Sequence, residues 1–247
     1  MKTKETPWES RNLGVDSSVE FYFEQGDSVI TLNEDVLSNK QFTYQVAHIP
    51  VGSIDVVNEL LQHGFTFAET KIELTADLKK LTLPSVFERF SEGMSYHKAT
   101  DSEQEKINAS IIGGMFSTDK VALDPHFSAC IAGQRYVYWT DDIVKAGVGF
   151  SYIVSRNGEP IGFFVLKKSS ERIGDSFLAG LFDKDRNSGL GFSVLYYPMV
   201  EAKCMGLKKM ITGVSSNNPD SVKMHLALGY QIKSMDYTLV KHISKER

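Results

Sequence analysis

Cysteine is scarce in this chain: only Cys130 and Cys204 occur among 247 residues. That excludes a disulfide-built scaffold and a cysteine-built zinc site, and it suits a reducing compartment. No His-Glu-x-x-His or comparable metal-ligand spacing is present, so no metal is expected. No apolar run reaches the roughly 20 residues that would span a bilayer, so no membrane insertion is expected. Residues 1–7 are polar and lack the apolar core of a signal peptide, which leads to an expectation of a cytoplasmic protein. Excess positive charge is lacking too. The formal net charge is −4, so global electrostatics do not favour DNA or RNA, and any anionic ligand must be held by local groups. A Gly-Lys-Ser/Thr phosphate loop is missing, and no Gly-x-Gly-x-x-Gly follows a first strand, so neither a P-loop nor a Rossmann site is expected.

What is present begins with Arg186-Asn187-Ser188-Gly189-Leu190-Gly191. The apolar run 176–182 precedes it, and helix-like periodicity extends from 190 to 205. The order is strand, arginine-and-glycine turn, helix. Such a turn aims backbone N–H groups at one point, at the positive end of a helix dipole, and makes a cradle for a pyrophosphate. A strand at 208–214, Asn217-Asn218-Pro219, a helix at 220–228 and Gly229-Tyr230 before a last strand at 231–240 complete the block.

Upstream, periodicity predicts strands at 18–24 and 43–49, a helix at 54–62 stopped by His63-Gly64, and a strand at 65–74. A connecting helix is expected over 83–93. A strand follows at 96–99, then Thr100-Asp101-Ser102-Glu103 as a capping box opening a helix to about Gly113. A helix is expected at 128–145, with Tyr136, Tyr138 and Trp139 read as core. Strands at 148–154 and 161–167 flank Asn157-Gly158, a hairpin turn, and a further strand is expected at 174–182. Pro198 should kink the helix near Val194. The helix-Gly-aromatic-strand signature occurs in both halves, so the N-terminal half reads as a reduced copy of the C-terminal one.

The turn at 186–191 and the spacing Asn218…His225…Gly229-Tyr230 resemble the GNAT superfamily of acetyl-CoA-dependent N-acetyltransferases. Trp8-Glu9-Ser10…Gly14, Phe116-Ser117-Thr118-Asp119 and Tyr138-Trp139 resemble a two-domain GNAT branch that includes TDP-fucosamine acetyltransferases of bacterial surface-polysaccharide synthesis. The resemblance implies an α/β protein with a mixed sheet. A truncated GNAT-like domain over 1–93 would be followed by a full acetyl-CoA-binding GNAT domain over 94–247. The implied activity is direct acetyl transfer to a primary amine, most suitably on a nucleotide-linked amino sugar. A peptide N-terminus, a polyamine, an aminoglycoside, or a non-catalytic acyl-CoA-binding module stay open, as does the oligomeric state, a homodimer included.

By the same resemblance, Leu178, Ala179, Gly180, Leu181 and Phe182 would flank the pantetheine arm of acetyl-CoA. Arg186, Asn187, Ser188, Gly189, Leu190 and Gly191 would hold the pyrophosphate, with Phe192 and Ser193 completing the first helical turn. Asn218 would touch the cosubstrate or fix its loop. His225 stands where the family places a tyrosine and is the candidate general acid for the departing thiolate, with Tyr196, Tyr197 or Tyr230 as alternatives. His126 is the candidate general base. His48, His63, His97 and His242 read as structural.

Overall fold

The computed structural model describes residues 1–27 and 41–243. In chain order the elements are β1 (Lys2–Glu5), α1 (Pro7–Leu13), β2 (Ser18–Tyr22), β3 (Tyr44–Pro50), α2 (Ile54–Gln62), β4 (Thr66–Asp77), α3 (Ser85–Glu88), β5 (Met94–Lys98), α4 (Asp101–Ser110), α5 (Ala129–Lys145), β6 (Gly149–Arg156), β7 (Glu159–Lys168), β8 (Ile173–Leu181), α6 (Gly191–Cys204), β9 (Lys209–Ser215), α7 (Pro219–Ala227) and β10 (Gln231–His242). Local chemistry places most of the boundaries. Thr100 accepts from the Glu103 amide while the Glu103 carboxylate accepts from the Thr100 amide, and α4 starts there. Asn157 and Gly158 both take positive φ (51° and 83°), the conformation a tight turn needs between β6 and β7.

Among the described residues the ten strands form one sheet in the order β1-β2-β3-β10-β4-β9-β8-β7-β6-β5. Its central strands are apolar on both faces because both faces are covered. In β6, Ile153 packs toward the cluster containing Ile107, Ile111 and Val137 of the α4 and α5 layer, while its neighbour Val154 packs toward Phe192, Val194 and Met199 of α6. Phe163 and Phe164 of β7 divide in the same way. That is the period of two along a strand, read out as two cores.

The two halves repeat one topology. β2 and β3 pair in parallel, then come α2 and β4; β8 and β9 pair in parallel, then come α7 and β10. Their last strands are exchanged. β4 lies against β9 (Lys71 opposite Ser215), β10 lies against β3 (Thr238 opposite His48), and β4 and β10 pair antiparallel at the centre. The division anticipated after residue 93 is therefore a division of sequence and not a seam in the sheet. The connecting helix expected over 83–93 is reduced to the single turn of α3. Pro198 lies buried within α6, which stays helical from Gly191 to Cys204; the missing N–H leaves the Val194 carbonyl without its usual donor.

Candidate acyl-transfer site

The centre of the site is a parting between two parallel strands. β8 and β9 pair only as far as Asp175 opposite Ile211. Thr212 Oγ1 then donates to the Ser176 carbonyl at 2.8 Å, and beyond it the strands separate. Each keeps its outer partner. β8 stays on β7 as far as Leu181 opposite Gly162, and β9 stays on β4 as far as Ser215 opposite Lys71. A bulge on β8 at Phe177, between Leu178 and Ser176 in the register with β7, turns the strand at the point of parting. The inner edge of residues 176–181 thus offers peptide groups with no strand opposite, the arrangement an amide-bearing extended ligand can pair with.

β8 leads into the arginine-glycine turn. Asn187 and Gly189 take positive φ (62° and 79°), and α6 begins at Gly191. Leu190, at the N-cap, supplies no side-chain cap; the Leu190 amide donates to Ser188 Oγ and the Ser193 amide to the Leu190 carbonyl, so the amides of Gly191 and Phe192 are the ones that face an anion. The Arg186 side chain lies outward, its Nε donating to Asp183 at 2.9 Å. Ser193 is buried, and its hydroxyl donates to the Leu190 carbonyl at 2.7 Å, so its role is to lock the first turn.

Between the parted strands lies a cleft of about 430 Å³. Four of the anticipated residues meet on its wall: Leu178, Ala179, Asn218 and His225. Gly180, Leu181 and Phe182 continue along β8 into the turn that carries residues 186–193. Asn218 is the N-cap of α7, where its Oδ1 accepts from the Ser221 amide at 3.1 Å and fixes the loop after β9.

His225 departs from expectation in its protonation. The side chain is buried, and Nδ1 lies 2.8 Å from the Ser221 carbonyl, an oxygen that can only accept. The proton therefore sits on Nδ1, and Nε2 carries the lone pair. Burial also pushes the pKa below 6.5, against the opposing pull of that hydrogen bond. In this state His225 accepts a proton or a hydrogen bond, the reverse of the anticipated acid role. Tyr230 packs its ring edge-on against His225 at 5.0 Å, and its buried hydroxyl has no partner.

His126 is not on the cleft wall. Its ring is stacked on His242 at 3.9 Å, and its Nδ1 is held by Asp124 at 3.0 Å. It thus stands apart from Leu178, Ala179, Asn218 and His225, which the cleft brings together.

The other wall holds residues that the sequence reading did not name as site residues, drawn from the N-terminal half, the 116–127 segment and the middle of α5. Glu9 of α1 and Arg135 of α5 form a buried fork, with Arg135 donating to Glu9 at 2.7–3.1 Å and to Asp119 at 3.0 Å. Trp139 lies beneath the guanidinium at 3.8 Å, and Tyr136 donates to Asp119 at 2.8 Å. Beside them sits Glu20, with Lys120 at 3.1 Å, a short hydrogen bond from Tyr22, and His48 at 3.8 Å. Burial alone would raise the Glu20 pKa; Lys120, His48 and Tyr22 together hold it below the carboxylate range. Glu69 and Asp175 are different. Burial raises both, and nearby cations only partly offset it. Trp8-Glu9, Asp119 and Trp139 lie in segments that carried the family resemblance. Glu20, His48 and Glu69 had no such signal.

No protein-family model matches the chain, and neither does any curated relative. Solved structures do match in fold. A GCN5-related N-acetyltransferase from Sphaerobacter thermophilus aligns over 83% of this chain and 61% of its own, at 13% identity and a TM-score of 0.58. A tandem GNAT protein from the clavulanic acid biosynthesis pathway aligns over 85% and 67%, at 10% identity and 0.54. A GCN5-related glucosamine N-acetyltransferase region of a fungal multi-domain GH3 β-N-acetylglucosaminidase aligns over 91% and 29%, at 14% identity and 0.62. The chain thus spans about three fifths of the Sphaerobacter protein and under a third of the fungal one. With its parted parallel strands and the turn before α6, the mixed sheet of this chain has the GNAT fold in a tandem arrangement.

Proposed function

We propose that this chain is an acetyl-CoA-dependent N-acetyltransferase acting on a small primary amine, with an amino sugar on a nucleotide carrier as the favoured acceptor. The observation that carries the reading is the parting of β8 and β9 beside an uncapped helix start, both opening on one cleft. Acetyl-CoA would supply an activated acyl thioester there. The free edge of residues 176–181 fits an extended amide-bearing arm, and the amides at the start of α6 fit a pyrophosphate. Arg186, paired with Asp183, adds charge at the rim.

The acceptor side has its own logic. Five carboxylates (Glu9, Glu20, Glu69, Asp119 and Asp175) line the cleft against Lys71, Lys120 and Arg135, so the chamber draws in a cationic amine. Glu9 and Glu20 are spent on cations of the protein itself. Glu69 and Asp175, with raised pKa values, are the carboxylates suited to take the ammonium proton, and the Nε2 of His225 is a third acceptor in the same cleft. Trp8, Tyr22, Phe116 and Trp139 offer ring faces to a sugar or a base.

The test is thiol release from acetyl-CoA with TDP-4-amino sugars, glucosamine derivatives, polyamines, aminoglycosides and peptides, run beside calorimetric titration with coenzyme A. Turnover confined to an amino sugar is the expected result. Turnover on polyamines alone corrects the acceptor. Absence of coenzyme A binding overturns the whole reading.

A further inference from the structure

Far apart in sequence, Asp124, His126 and His242 meet at the end of β10. Each offers one ligand atom, and these atoms lie within 4.8 Å of one another. Asp124 Oδ1 takes His126 Nδ1 at 3.0 Å, and Asp124 Oδ2 takes His242 Nε2 at 2.7 Å. The two imidazoles are nearly parallel, 3.9 Å apart at 16°. The carboxylate is buried (its side chain is 2% exposed), whereas the His126 side chain is 61% exposed. One side of the cluster therefore faces solvent.

We propose that Asp124, His126 and His242 bind one divalent transition-metal ion of the zinc class, as a structural clamp. Two imidazoles and one carboxylate on one side of a solvent-facing point are a ligand set for zinc with a water completing the sphere. The donors are held in advance. The His126 amide donates to Asp124 Oδ1 at 3.0 Å, which fixes the turn, and Tyr44 and Phe127 pack on the His242 ring at 5.0 and 5.3 Å. On binding, the proton that each imidazole shares with Asp124 moves to its far nitrogen, and the freed lone pair takes the metal. The metal would join the 116–127 segment, whose Thr118, Asp119 and Lys120 line the cleft, to the last residue of the exchanged strand β10. Sequence spacing could not reveal this set, because His242 lies 118 residues from Asp124.

The test uses the full chain freed of metal by a chelator and titrated with Zn²⁺ by calorimetry and with Co²⁺ by visible absorption, alongside thermal unfolding. One equivalent should bind, the Co²⁺ spectrum should lack a thiolate charge-transfer band, and the unfolding midpoint should rise with Zn²⁺. His126→Ala should weaken binding at least about tenfold, and being exposed it should leave the circular dichroism unchanged. His242→Ala should do the same, and Cys130→Ser should retain full binding. The proposal is overturned if no stoichiometric binding occurs at micromolar metal, or if binding survives both histidine changes.

Discussion

Arg135→Met is the most revealing single change. Arg135 is 2% exposed, and its guanidinium makes three contacts to Glu9 and one to Asp119 while lying on Trp139. Methionine fills much the same space but leaves the Glu9 carboxylate, also 2% exposed, with no cation. Breaking a buried pair from one side costs about 3–5 kcal/mol, chiefly the unpaired charge. For a chain of this size each kcal/mol moves the midpoint by roughly 2–4 °C, so a fall of about 6–20 °C is expected. The assay is urea and thermal unfolding followed by circular dichroism and by tryptophan fluorescence. Both tryptophans are well placed to report. Trp139 stacks on Arg135, and Trp8 precedes Glu9. Adding Glu9→Gln should recover most of the loss, because the charge that made the first change expensive is gone. A loss under about 1 kcal/mol, the scale of an exposed pair, would refute the reasoning. So would a double variant no better than the single one.

Buried histidines should cost stability on acidification. His225 and His48 both sit below 6.5 because burial disfavours their charged forms, so the unfolded chain binds protons that the folded chain refuses. Through them stability should fall as pH drops from about 6.5 through the lower folded values, and Glu20 should add a second loss below 4.5, while Glu69 and Asp175, raised by burial, pull the other way; the histidine part is read by comparing pH-resolved urea midpoints of the chain and of His225→Gln, and equal slopes between pH 7 and 5 would contradict it. Gly189→Ala forces a Cβ onto a φ of +79° in open space, costing about 1 kcal/mol and weakening coenzyme A binding with little change in circular dichroism; unchanged affinity would detach the turn from the pyrophosphate. Gly162→Ala places its Cβ 2.5 Å from the Gly180 carbonyl and 3.0 Å from Leu181 Cα, so a loss of about 1–3 kcal/mol should appear in urea unfolding. Glu69→Gln should lower kcat more than coenzyme A affinity, and equal losses in both would assign Glu69 to packing.

The legible features were those whose cause is local. Apolar spacing at 3.6 marked α2, short apolar runs marked β6 to β8, and Thr100 with Glu103 and Asn157 with Gly158 marked their boundaries within one or two residues. The turn before α6 was legible for the same reason. β1 was not: Lys2–Glu5 is exposed throughout and has no apolar face to reveal it, its pairing with β2 being the only sign. The charged wall of the cleft was hidden because Glu9, Glu20, His48, Glu69, Asp119 and Arg135 come from separate elements and meet only on folding. The tautomer of His225 was hidden too, since it depends on where the Ser221 carbonyl points.

The strand exchange explains why residues of the N-terminal half reach the cleft between β8 and β9. Had β10 followed α7 onto β9, the parted strands would face residues of their own half. Instead β4 occupies that place and carries Glu69 and Lys71 to the edge of the cleft. β3 and β2, drawn in beyond β10, bring His48 and Glu20. The Glu9–Arg135 fork then ties α1 to α5 across the same opening. Polar residues of β2, β3 and β4 are thereby set beside the parted strands β8 and β9, so the charge of the cleft is decided jointly by residues far apart in the sequence.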